Sequence, residues 1–191
     1  MKKSNPLVII GCLLMLSSAL QAQDYEKVPY VTSPMEVVDR MLELADVKQG
    51  DVVFDIGSGD GRMVIQAAKK YGAKGVGIEL DARLVDLARA EAKRQGVDHL
   101  VEFRQEDALK ADISAATVVT LYMLPGFNKV FRPILEKQLK SRARVVVHDY
   151  PIEGWNPVMW EEMPLMDTRA EQVAPHKHIL YLYQWMSDAK P

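Results

Sequence analysis

Three carboxylates and a run of glycines are the residues of this chain best placed to do chemistry. Asp55 sits inside the apolar run Val52-Val53-Phe54-Asp55-Ile56, which is followed at once by Gly57-Ser58-Gly59-Asp60-Gly61-Arg62. A short apolar run that stops at glycine reads as a strand buried on both faces. The turn beyond it lacks Cβ atoms, so a ligand can press against its backbone, and Asp55 can accept hydrogen bonds from that ligand. Glu79 closes the next apolar run, Gly75 to Ile78, after one helical crossover. A carboxylate at a neighbouring strand end can accept both hydroxyls of a ribose. Asp107 opens the loop after a third run, positioned to accept from an adenine amino group, with Glu106 as the competing acid. These types and spacings describe a site for a nucleoside cofactor. The glycines run G-x-G-x-G, whereas the dinucleotide fingerprint G-x-G-x-x-G would need its last glycine where Arg62 stands. An NAD-dependent oxidoreductase is therefore disfavoured.

The elements that must position these residues follow the rhythm of strand then helix. Ser33-Pro34 starts a first helix, with Ser33 as the cap, Pro34 at the first position and Glu36 three residues after the cap. Val37, Val38, Met41, Leu42 and Leu44 form its apolar face. A second helix runs from Met63 to Tyr71 and stops at Gly72. Asp81 caps a third, whose Leu84, Leu87, Ala88 and Ala92 recur at helical spacing. Leu100 to Phe103 reads as a third strand, Thr117 to Tyr122 as a fourth and Ala143 to His148 as a fifth, with a helix from Phe127 to Leu139 between the last two. Alternating strands and helices imply a parallel sheet with helices on both faces. After Asp149 the prolines and Gly154 break the pattern, and His178 to Trp185 reads as a strand of a terminal antiparallel hairpin. The expected fold is an α/β, Rossmann-like doubly wound sheet of seven strands.

Length and composition fit one globular domain: 191 residues, 48% hydrophobic and 26% charged, with a net charge of -2 that gives no bulk attraction to nucleic acid. The N-terminus differs in kind. Lys2 and Lys3 precede an apolar run from Leu7 to Leu20, followed by Ala22, as in a secretory signal peptide. Residues 1–22 are thus expected to be the signal and 23–191 the domain, exported to the periplasm or secreted. The chain meets a membrane only if that segment stays uncleaved as an anchor or if Cys12, in Ile9-Ile10-Gly11-Cys12, is lipidated. Cleavage at Ala22 would leave no cysteine for disulfides, thiol catalysis or metal binding. No metal site is expected: His176 and His178, two apart near a strand start, read as surface or sheet-edge histidines.

The Asp55-to-Arg62 pattern resembles motif I of class I S-adenosylmethionine (SAM) methyltransferases, and Glu79 and Asp107 add to that likeness. From about Val28 to Trp185 the chain resembles the bacterial branch of a small lysine methyltransferase family. Its mitochondrial relatives modify the ATP synthase c subunit and the adenine nucleotide translocase, and Dot1-type enzymes are more distant. The residues that carry this are Pro29-Tyr30-Val31-Thr32 with Ser33-Pro34, DIGSGDGR, VGIELD, and Thr117 to Pro125. The resemblance implies SAM as cofactor, held by Tyr30, Thr32, Asp55, Gly57, Gly59, Asp60, Gly61, Glu79 and Asp107. It also implies a protein lysine acceptor facing the Tyr122 to Pro125 loop, with Tyr122 as the candidate catalytic side chain. Leu121-Tyr122-Met123-Leu124-Pro125 lacks the N/D-P-P-Y/F segment that holds a base or amide nitrogen, so no nucleic-acid partner is expected. His148-Asp149 either borders the acceptor or is a strand-end polar pair. An exported, non-catalytic SAM-binding module and a small-molecule methyltransferase are the competing functions.

Overall fold

The computed structural model describes residues 30–164 and 177–186. Residues 32–191 cluster as one unit; in the preceding unit, residues 1–31, only Tyr30 and Val31 are described, both exposed. Seven strands form one sheet: β1 (Val52–Ile56), β2 (Lys74–Glu79), β3 (Val101–Gln105), β4 (Val118–Leu121), β5 (Arg144–His148), β6 (Met159–Met163) and β7 (His178–Gln184). Their order is β3-β2-β1-β4-β5-β7-β6. The first five are parallel, and β7 pairs antiparallel with both β5 and β6. The chain therefore turns outward in opposite directions from β1, and the crevice at that reversal is where doubly wound sheets bind ligands.

Four helices cover the sheet: α1 (Met35–Leu44), α2 (Arg62–Tyr71), α3 (Ala82–Arg94) and α4 (Pro125–Gln138). The apolar faces of α1, α2 and α3 share one core with Val53, Val118, Val146 and Leu180. Strand alternation sends Phe54, Ile56, Val119, Leu121, Val145 and Val147, all buried, to the other face. There α4 is the described helix left to cover them, burying Phe127, Phe131 and Leu135. Among the described residues no helix is long and apolar enough to cross a membrane.

The structure departs from the expected elements at several points. Ser33 does not cap α1: Pro34 occupies the cap position, no side chain caps the helix, and the Ser33 hydroxyl is bonded to His148 instead. In α3, Leu87 is exposed, and Val85 takes its place in the core beside Ala88 and Ala92. The third strand runs on to Gln105 because its register against β2 keeps pairing through Glu79. Helix α4 begins at Pro125, where proline's fixed φ suits the first turn. His178 is not a surface or edge residue, since β7 lies inside the sheet. His176 and the 1–22 segment lie outside the described residues.

Candidate active site

The glycine turn is shaped by what packs on it. The Gly57 and Ser58 N–H groups both donate to the Ile78 carbonyl at 2.9 Å, which ties the turn to the end of β2. Gly61 caps α2 in the left-handed region, with φ 79°. A Cβ there would lie 2.5 Å from the Phe103 ring and 2.9 Å from the Ala88 Cβ, so only glycine lets β3 and α3 close on the turn. Arg62 begins α2 and clasps Asp60 at 2.6 Å, while its other nitrogen donates to the Ser33 carbonyl at 2.8 Å. The residue that breaks the dinucleotide fingerprint thus braces the turn from outside.

Around this turn the sheet gathers carboxylates. The Gly59 N–H donates to Glu79 Oε2 at 2.9 Å, and the Leu80 and Asp81 N–H groups donate to Oε1 at 2.8 and 2.9 Å. Three backbone donors fix the orientation of Glu79 and leave one lone pair, on Oε2, for a ligand hydroxyl. Asp55 is buried on the sheet face under α1 to α3 and accepts the Thr120 hydroxyl at 2.6 Å. Burial pushes its pKa up to about 7; the Thr120 hydrogen bond opposes this, and the nearby charges of Glu79 and Asp60 add to it. Asp107 accepts from the Leu109 N–H at 3.0 Å and pairs with Lys110 at 3.2 Å, at the end of β3. Thr32 is partly buried just before α1. Tyr30, 53% exposed, belongs to the preceding unit.

The loop after β4, expected to face the acceptor, lies against the same turn. Met123 Sδ is 2.8 Å from where a Cβ on Gly57 would stand, so the loop after β4 packs on the glycine turn itself. Thr120 pairs with Val146, and two residues further along each strand Tyr122 and His148 stack at 3.9 Å between ring centroids. Burial, with Asp149 and Tyr150 nearby, pushes the Tyr122 pKa up to about 12. His148 is fully buried, and burial pulls its pKa down to about 4, partly opposed by Asp149. It contacts Ser33 Oγ through Nδ1 at 2.9 Å and His178 Nδ1 through Nε2 at 2.8 Å. Among the described residues His148, Asp149 and His178 converge as a metal site would, but that 2.8 Å contact is a hydrogen bond that occupies the nitrogens an ion would need. Thr120 was missed from sequence, and Ser33 and His178 were read as a helix cap and a surface or edge histidine, not as partners of His148. Only the polar threonine inside an otherwise apolar strand left a readable signal.

The family model described as the ANTKMT methyltransferase domain matches residues 55–159, from Asp55 in β1 to Met159 at the start of β6. The chain belongs to this family. A protein-lysine N-methyltransferase of Saccharolobus islandicus (strain REY15A) is 45% identical over 131 residues, covering 68% of this chain and 81% of the relative. The lysine N-methyltransferase of the ATP synthase c subunit from Xenopus laevis is 36% identical over 68% of this chain, which spans 56% of that longer protein. A crystal structure named as an RNA methyltransferase from Salinibacter ruber, in complex with S-adenosyl-L-homocysteine, is 48% identical. It superposes with a TM-score of 0.74 over 84% of this chain and 97% of that one. This ANTKMT-family chain is therefore a SAM-dependent methyltransferase. The residues present fit the cofactor: the anionic cluster of Asp55, Asp60 and Glu79 suits a cationic ligand, and Ser58 Oγ is buried without a hydrogen-bond partner beside it.

Proposed function

We propose that the methyl acceptor is a protein lysine amine. The observation that carries this is the Tyr122 to Pro125 segment packed on Gly57, an aromatic and apolar lining with no side-chain amide to orient a base. The names of the archaeal and frog relatives agree with it. The name of the Salinibacter ruber structure favours RNA instead, against which stand the net charge of -2 and the lining just described. Held by Glu79, Asp55 and the glycine turn, SAM supplies an electrophilic methyl carbon; Asp107 is the acceptor for its adenine. The protein's own contribution is alignment of the amine, exclusion of water and provision of a desolvated channel that favours the uncharged amine. An intact Asp55, Glu79 and Tyr122 constellation argues for an enzyme over a non-catalytic binding module.

The apolar run from Leu7 to Leu20 behind Lys2 and Lys3 supports export, with membrane attachment only through an uncleaved segment or a lipidated Cys12. A reporter fused after Asp24 should be active on the outer side of the membrane, and activity inside would contradict export. For the acceptor, methyl-labelled SAM is supplied with a bacterial extract that is then split into protein and RNA. Label on lysine in the protein fraction is expected. Label confined to RNA, or to small molecules, would overturn the lysine reading.

A further inference from the structure

An imidazole pair, His148 buried and His178 partly so, lies behind the proposed acceptor side of the site, and alignment of the amine does not by itself require it. His148 ends β5 and His178 opens β7, and their Nε2 and Nδ1 atoms are 2.8 Å apart. Asp149 Oδ2 is 3.4 Å from His148 Nε2 and 3.7 Å from His178 Nδ1. The aspartate is held in the left-handed region, with φ 61°, where residues other than glycine are uncommon. Reciprocal bonds keep it there: its N–H donates to the Ile179 carbonyl at 2.7 Å, and Oδ1 accepts the Ile179 N–H at 2.9 Å. The Tyr122 ring stacks on His148 at 3.9 Å between centroids, and the Asp149 charge is near enough to the Tyr122 hydroxyl to help burial raise its pKa. Ser33 meets His148 from the start of α1, with the Arg62 guanidinium on its carbonyl, and the Tyr150 ring lies 6.3 Å from Tyr122. A continuous path thus leads from the acceptor loop through Tyr122 and Asp149 to two imidazoles. His178 Nε2, at its far end, has no hydrogen-bond partner among the described residues.

We propose that Asp149 and the His148–His178 pair form a proton relay, reached through the Tyr122 hydroxyl, that neutralises the acceptor ammonium before methyl transfer. The proposal rests on the lysine reading above. Tyr122 is the group that meets the amine, while Asp149, His148 and His178 act through it. As the ammonium gives a proton to the Tyr122 oxygen, Tyr122 passes its own to Asp149, where the proton is shared with the imidazoles. The neutral amine keeps its electron pair and attacks the methyl carbon of bound SAM; the N–C bond forms as the C–S bond breaks, leaving a methylammonium and a neutral thioether. The relay proton then passes to solvent. Burial disfavours a charge on His148, opposed in part by Asp149, so the imidazoles hold the proton only in passage to solvent.

Asp149→Asn is the direct test, because asparagine tolerates the left-handed conformation and keeps the acceptor for Ile179. With a labelled extract protein as acceptor, kcat near neutral pH should fall by about tenfold or more. Acceptor KM, and affinity for S-adenosylhomocysteine by calorimetry, should stay within about twofold. The deficit should close towards about pH 10, where a lysine ammonium loses its proton to solvent unaided. In imidazole NMR the His148 titration should move to lower pH in the variant, because Asp149 partly opposes the burial that lowers it. A His178→Gln variant should show the same kcat loss and recovery, and keeps the test decisive if Asp149→Asn fails to fold. Undiminished kcat near neutral pH, or a loss that stays constant up to about pH 10, would overturn the relay alone. A wild-type protein that labels no lysine removes the lysine reading, and the relay falls with it.

Discussion

Glu79 and Asp55 do different work although both are carboxylates beside the same turn. Glu79 is fixed by three backbone donors and keeps one lone pair free on Oε2. Replacing it with alanine removes a charge-assisted hydrogen bond to the cofactor, and SAM affinity measured by calorimetry should fall at least about tenfold. Asp55 is buried on Thr120, and its folded-state pKa of about 7 lies above its ordinary value of 3.8. The folded protein therefore binds the extra proton more tightly than the unfolded chain does. Its stabilising effect is full at low pH and is lost as pH rises through about 7. Ligand-free Asp55→Asn should consequently lack that part of the decline, so denaturation midpoints of wild type and variant should diverge as pH rises from about 4 to about 8, with wild type falling relative to the variant. Equal pH profiles would contradict the assignment. At this scale the sequence was legible in placing Asp55 near the end of β1 and Glu79 at the end of β2, beside the glycine turn. It was silent where a side chain answers a distant one: Ser33 carried every mark of a cap, yet its partner is His148, far along the chain. Local propensity cannot see such a partner.

The elements show the same division. Strands β1 and β2, helix α2 and the turn between them were readable because glycine spacing and apolar runs are local signals. The interior position of β7 was not, because strand order is set by which edges remain open once β5 has formed. The glycine turn gives a test of element packing. Gly61 and Gly96 both have positive φ, but a Cβ at Gly61 would strike Phe103 and Ala88, whereas at Gly96 nothing lies within 4 Å. Gly96→Ala should cost only the left-handed penalty, about 1–2 kcal/mol. Gly61→Ala adds overpacking of about 1–3 kcal/mol more, and should lose SAM binding as the turn is displaced. Urea denaturation separates the two variants; equal costs would mean that β3 and α3 do not clamp the turn.

In the unit from residue 32 onward, chemistry and anchoring occupy opposite ends of the sheet. At the amino end of the strands Asp51 is paired with Arg144 and accepts the Thr117 hydroxyl at 2.7 Å, while Arg144 also reaches the Ala45 carbonyl at the end of α1. Arg144→Met leaves a buried carboxylate unpaired and should cost about 3–5 kcal/mol of stability. SAM affinity of the folded variant should be unchanged, because the glycine turn lies at the other end of β1. In the proposed reading the carboxyl end then divides into a cofactor half built on β1 and β2 and an acceptor half built on β4, β5 and β7. The strand ends and glycine turn of the first half were legible in the sequence, because their signals are local. The second was reduced to Tyr122 and an undecided His148-Asp149, since its partners are brought together only by the antiparallel return of β7. Calorimetric titration of SAM into wild type, Glu79→Ala and Tyr122→Phe tests this division most directly. The expected result is one-to-one binding by wild type, severe loss in Glu79→Ala, and unchanged affinity in Tyr122→Phe. No binding by the folded wild type, or a loss in Tyr122→Phe equal to that in Glu79→Ala, would contradict it.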